Sequence, residues 1–122
     1  MNSFNLRKPK LNQENLRAVS PVSLNDDDLF EDFIIKDADL SEAKSEDIRF
    51  LTGFIDHSQL SGSAFLRPKI TDVVIENSHL SNANWEKSLF SSVRIDSSKL
   101  TGFIALSGKW NDVIINKSKA DL

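Results

Sequence analysis

The chain has 122 residues, of which 39% are hydrophobic, 27% are charged and none is cysteine. That suffices for one small domain with a buried core, and it leaves no disulfide or thiolate metal site. A net charge of -3, from 15 basic and 18 acidic residues, does not point to nucleic acid, so no direct nucleic-acid binding is expected.

Residues 1–27 read as an N-terminal arm or cap. The opening MNSFNLRKPKLNQENL is basic but lacks the apolar core of a secretion signal. With cysteine absent, the cytoplasm is the expected location. No run of about 18 apolar residues occurs anywhere, so no membrane association is expected. NQENLRAV (12–19) has the composition of one or two helical turns, ending before Ser20-Pro21 because a residue preceding proline disfavours helix. Ser23 and the run Asp26-Asp27-Asp28 suit a cap on another short turn. Charge is unevenly placed. Residues 1–25 carry a net +3, residues 26–47 carry ten acids against Lys36 and Lys44, a net -8, and the rest carry +2. The basic arm could lie against the acidic stretch, although a solvated tail beside a solvated face is the simpler reading.

From residue 28 onward a period of five takes over. Multiples of five from Phe30 to Ala120 number nineteen, and sixteen of them are large and apolar; Ser45, Ala105 and Ala120 are the exceptions. Neither a helix, with period 3.6, nor a strand, with period 2, places apolar residues this way. Two residues before each sits a second column, mostly small: Ala38, Ala43, Ser58, Ser63, Ser78, Ala83, Ser88 and Ser98 belong to it. A period of twenty lies above the first. Leu40, Leu60, Leu80 and Leu100 form one series, Ile35, Ile55, Ile75, Ile95 and Ile115 another, and Phe50, Ile70, Phe90 and Trp110 a third. Self-similarity at 20 to 50 residues indicates a solenoid.

The geometry follows from strand chemistry. Each quintet is a short extended segment plus a corner, so four quintets make a four-sided coil. The large residue and the small one two before it share the inward face, because alternate residues of a strand do. Stacked coils lie about 4.8 Å apart and hydrogen-bond through their backbones. The small column reflects a narrow interior. Phe103 beside Ala105 inverts the usual order, as if the pair exchanged volume.

The quintets ADLSE (38–42), SHLSN (78–82), ANWEK (83–87) and SKLTG (98–102) resemble the pentapeptide repeat, A(D/N)LXX in its tidiest form. The resemblance covers roughly residues 28–122. It implies an all-β fold, a right-handed quadrilateral β-helix of about four to five coils, with residues 1–27 as a short capping segment. Ser or Val often replaces Ala, and Ile replaces Leu along one whole side. KADL (119–122) fits better with Ala120 as the small residue and Leu122 as the large one. The first coil is expected to begin between residues 28 and 38.

Outward columns are where function would lie. The residue before each Ile of the Ile side reads Ile34, Phe54, Val74, Arg94 and Ile114. The column after it reads Lys36, Asp56, Glu76, Asp96 and Asn116. An apolar stripe thus adjoins an acidic one, and Ile34, Phe54, Val74, Ile114, Asp56, Glu76 and Asp96 are candidate interface residues. Cover by the N-terminal arm, or plain β-branched preference, explains the stripe equally well. Trp110 in the last coil is the candidate anchor for an end-to-end homodimer, an arrangement that the resemblance also implies. Ser41, Ser61, Ser81 and Thr101 form a hydroxyl ladder with no catalytic base beside it. His57 and His79 fall on different sides of the coil, which makes no metal site. No catalytic, metal or cofactor site is expected.

These features point to a non-enzymatic scaffold presenting flat solenoid faces to a protein partner of unknown identity. Some pentapeptide repeat proteins are DNA mimics that bind type II topoisomerases such as gyrase, and the resemblance keeps that as an alternative. The acids are concentrated in the first coils, and the rod is short, about 22 Å at the strand spacing. A structural domain within a longer multidomain protein is a further alternative. The inward and outward assignment is directly testable. Leu80→Ala should cost roughly 2–5 kcal/mol in a denaturant melt, and Gln59→Ala, on the outside, under about 0.5 kcal/mol.

Overall fold

The computed structural model describes residues 15–119. Its strands are β1 (Arg17–Val19), β2 (Leu29–Lys36), β3 (Lys44–Glu46), β4 (Arg49–Asp56), β5 (Ala64–Leu66), β6 (Lys69–Glu76), β7 (Asn84–Glu86), β8 (Leu89–Asp96) and β9 (Lys109–Asn116). All pairing is parallel. One sheet runs β1-β2-β4-β6-β8-β9, and a second runs β3-β5-β7. The remaining side is joined by single bridges from Asp39 through Gln59, His79 and Lys99 to Lys119. This is the four-sided parallel β-helix that the period of twenty requires. Residue n lies on residue n+20, as in Phe50↔Ile70, Ile55↔Ile75 and Phe65↔Trp85.

The corners explain the period of five. Every fifth residue from Asp27 to Lys117 has a left-handed backbone, with φ between 47° and 75°. One such residue turns the extended chain and lets the next side begin. The eight-residue strands β2, β4, β6, β8 and β9 therefore each cover two sides, bending at Asp32, Thr52, Asp72, Ser92 and Asp112. Asp and Asn tolerate this conformation through local hydrogen bonding, and they recur at these corners. Thr52 is the one β-branched residue placed there, where its Cβ is strained.

The N-terminal segment departs from expectation. Arg17–Val19 form a strand, not the helical turn expected over 12–19; the part of that stretch before residue 15 lies outside the described residues. β1 pairs with β2 at an offset of sixteen, Arg17 on Phe33 and Val19 on Ile35. The cause is the free edge of β2, whose unpaired backbone groups need a neighbour. Twenty-residue stacking also begins earlier than the 28–38 window. Ser45 Oγ donates to Asn25 O at 2.9 Å, and Glu46 N donates to Asp26 Oδ1 at 2.9 Å. Leu24 is buried in the core above them. Asp28 Oδ2 accepts from Asn25 N at 2.8 Å, so this turn is closed from its far end and not by Ser23. The expected shift at KADL concerns Ala120 and Leu122, outside the described residues, and Lys119 keeps the register of twenty.

Inside, the Ile, Leu and aromatic series stack as expected, and from Ile35 to Leu100 they are almost fully buried. Phe65 stacks on Trp85 at 5.1 Å, and Trp85 Nε1 donates to Ser63 Oγ at 2.8 Å, which removes the penalty for a buried indole N–H. Phe103 is buried and meets Trp85 edge-on at 5.4 Å, the volume exchange with Ala105. A second exchange runs between coils. Phe33 fills an inward small-column position, and Gly53 lies on it; a Cβ there would come within 2.6 Å of the Phe33 ring.

The small column on the Leu side is a hydrogen-bonded ladder. Ser58, Ser78, Ser98 and Ser118 each accept from a backbone N–H twenty residues earlier, at 3.1–3.2 Å. Each also donates to the carbonyl two residues earlier, at 2.8–3.0 Å. Ser78→Ala would strand Ser58 N–H and remove one of the two donors to Glu76 C=O, which keeps His57 N–H at 3.2 Å. It should cost about 1–3 kcal/mol in a denaturant melt, against about 0.5 kcal/mol or less for the exposed Ser41→Ala.

Candidate interaction surfaces

The second halves of β2, β4, β6, β8 and β9 build one flat side. Their register brings the expected columns together: Ile34, Phe54, Val74, Arg94 and Ile114 in one, and Lys36, Asp56, Glu76, Asp96 and Asn116 beside it. The apolar stripe is less open than its outward position implies. Val74 is buried, and Ile34, Phe54 and Ile114 are half-buried: Val74 and Phe54 are flanked by neighbours one coil above and below, and Ile114 lies against Arg94. Ile34 also lies beside Ala18 of β1.

The acidic column stacks three carboxyl-bearing side chains at the strand spacing. At one end, His57 Nδ1 lies 2.8 Å from Asp56 Oδ1, and Asn77 Nδ2 donates to the same oxygen at 3.2 Å. Burial works against the Asp56 carboxylate, but these hydrogen bonds and the nearby His57 and Lys36 hold its pKa below the ordinary value. At the other end Arg94 Nε meets Asp96 Oδ2 at 2.6 Å, and Asp96 Oδ1 is buried without a hydrogen-bond partner among the described residues. Glu76 sits between them. Burial raises its pKa, and the charges of Asp56 and Asp96 raise it further, with Arg94 offsetting only part. The His57 contact is not anticipated from the sequence, where His57 is considered only as a metal ligand together with His79. Its signal was adjacency to the first acid of the column.

The last described coil carries the most exposed apolar surface. Trp110 is 37% exposed although its ring stacks on Phe90 at 4.6 Å and its Nε1 donates to Ser88 Oγ at 3.1 Å. Ile115 is 40% exposed, Ile104 45% and Leu106 62%. Ile104 and Leu106 were missed by sequence reasoning. They are apolar residues in columns otherwise occupied by Lys44, Ala64 and Asn84, or by Glu46, Leu66 and Glu86, and that break in pattern was the available signal.

Among the described residues no three His, Asp or Glu side chains are grouped to hold a metal ion, and no helix is long and apolar enough to cross a membrane. His79 lies in the bridged column with Gln59 and Lys99, on a different side from His57. Ser81 Oγ, in the hydroxyl ladder, is buried without a hydrogen-bond partner among the described residues.

Comparison with solved structures finds pentapeptide repeat proteins. One is Rfr23 from the cyanobacterium Cyanothece 51142, at 15% identity and a TM-score of 0.31, covering 69% of this chain and 65% of that one. The matched part thus spans a little under two thirds of that protein's length. Another is QnrB1, a plasmid-mediated fluoroquinolone resistance protein, at 13% identity and a TM-score of 0.35, covering 87% of this chain and 92% of that one. No family profile and no curated protein matches the chain.

Glu76 makes the acidic column pH-dependent with a definite sign. Its folded pKa is raised, so at a pH between the ordinary and the folded value the folded state binds more proton than the unfolded state. Its contribution is therefore favourable at acidic pH and is lost as pH rises from the ordinary glutamate value, about 4.3, through the folded value. Glu76→Gln should melt higher than the parent chain near neutral pH, and the difference should vanish below about pH 4.

Proposed function

We propose that the chain is a non-enzymatic protein-interaction scaffold that associates through the apolar face of its C-terminal coil. The observation that carries this reading is the concentration of exposed Ile104, Leu106, Trp110 and Ile115 on one coil. Contiguous apolar surface of this kind marks an interface. β9 pairs only with β8 among the described residues, so backbone groups lie beside the apolar side chains. A two-fold contact between two such coils would bury the same patch on both partners and close the assembly. The flat side with Ile34, Phe54, Val74 and Ile114 then offers a second surface, edged by Asp56, Glu76 and Asp96. A rigid stacked rod loses little conformational entropy on binding, which suits it to this role.

Surface charge favours this general scaffold over a DNA mimic. The ladder of Asp56, Glu76 and Asp96 spans only two coil spacings, about 10 Å. Lys and Arg residues occupy the corner leading into β4, β6 and β9, including Arg49, Lys69 and Lys109. An acidic rod imitating duplex would have neither feature.

Sedimentation at micromolar concentration should show a dimer, and Trp110→Lys should convert it to a monomer that still melts cooperatively, at a lower temperature because the Phe90 stack is lost. A parent chain that is monomeric and soluble would overturn the dimer. If Trp110→Lys stays dimeric while Phe54→Glu dissociates, the interface belongs to the flat side.

A further inference from the structure

A groove of about 540 Å³ runs along the corner that leads into β4, β6, β8 and β9. Two outward columns wall it. Arg49, Lys69, Leu89 and Lys109 stack in strict register along one wall. Asp27, Asp47, Arg67, Lys87 and Ser107 hold the left-handed corner positions of the other. The lining carries Arg49, Arg67, Lys69, Lys87 and Lys109 against Asp27 and Asp47, a local net charge of +3 in a chain whose net charge is -3.

The charges are sorted along the groove. Toward the N-terminal coils, Arg67 is held by Asp47 at 2.8 and 3.0 Å and by Glu46 at 3.4 Å. Arg49, Lys69, Lys87 and Lys109 form no ion pair among the described residues. Their spacing along the axis follows the coil stacking, about 4.8 Å per coil, so they repel one another with no built-in partner. Between them Leu89 is 46% exposed, and the aliphatic stems of Lys and Arg extend that apolar floor.

We propose that this groove binds a short, extended acidic segment of a protein partner, with an aliphatic residue between its carboxylates. Charge complementarity selects the acids, and Leu89 selects the aliphatic residue. Asp27 and Asp47 close the N-terminal end of the groove to anions, so the cationic stretch from Arg49 to Lys109 spans three coil spacings, about 14 Å. Same-face side chains of an extended peptide recur about every 6.6 Å, so two or three carboxylates fit that length. Single-stranded nucleic acid fits less well, because its binding sites rely on aromatic stacking and no aromatic residue lines this groove. The inference rests on the scaffold reading only in taking proteins as partners; the groove is separate from Trp110 and from the acidic column.

Fluorescence anisotropy with a fluorescein-labelled peptide Asp-Glu-Leu-Asp-Glu is the test, with a labelled oligothymidylate of similar length in parallel. The peptide should bind with an affinity that falls as salt is raised. Lys69→Glu combined with Lys87→Glu should weaken it at least about tenfold, a loss of about 1.4 kcal/mol, with the melting temperature retained. Leu89→Ser, which leaves the charge unchanged, should weaken it by a smaller factor. Absence of peptide binding, equal binding by the charge-reversed chain, or tighter binding of the oligothymidylate would each overturn the proposal. Ile104→Ser, which removes part of the C-terminal apolar patch without changing charge and lies outside the groove, should leave peptide affinity unchanged, so failure here and failure of the C-terminal interface are read separately.

Discussion

Coil-to-coil hydrogen bonding at an offset of twenty is the constraint on which the rest of the structure depends. It runs along the axis on all sides: through the long strands, through β3-β5-β7, and through the bridges from Asp39 to Lys119. It can persist only if every coil has the same circumference. The left-handed residue at every fifth position, from Asp27 to Lys117, fixes that circumference. Each such residue other than glycine carries a local cost of about 1 kcal/mol or more, offset by the pairing it permits above and below.

The narrow interior imposes the second rule, that volume and polarity must balance between adjacent coils. Gly53 exists in the space that Phe33 leaves, and Ala105 in the space that Phe103 takes. Polar groups follow the same logic. The serine ladder from Ser58 to Ser118 converts a row of small residues into paired donors and acceptors at one corner. Trp85 and Trp110 each reach a serine hydroxyl twenty-two residues earlier. The core is thus apolar at its centre and hydrogen-bonded at its rim, which lets a thin rod bury serines without stranding them.

On the surface, stacking turns composition into columns. Any residue type repeated every twenty positions is brought within about 5 Å of its like. That multiplies charge. Asp56, Glu76 and Asp96 crowd on one side, and Lys69, Lys87 and Lys109 gather at another corner. The two signs face different directions, so the chain's small net charge conceals a polarised surface. The strain shows at Glu76, whose proton is held more tightly than usual, and it is relieved at the column ends by His57 and Arg94.

The sequence by itself determined the coil. The alternation within each quintet put Ile75 and Leu80 inside and Gln59 outside, and the series of twenty set which residues stack. These are properties of period, and a period is visible without coordinates. It also placed Ile34, Phe54, Val74 and Ile114 in one column, but not their partial burial, which depends on neighbours above and below. What only the tertiary structure decided lies where the period is broken or crossed. β1 joins at an offset of sixteen because a free sheet edge recruited it, and three residues reading RAV carry no period to announce that. The Asp56 and His57 contact, and the groove between Arg67 and Lys69, arise at corners, where the direction of a side chain follows from a left-handed φ. Columns adjacent in space across a corner belong to different series in the sequence, so only the turn itself brings them together.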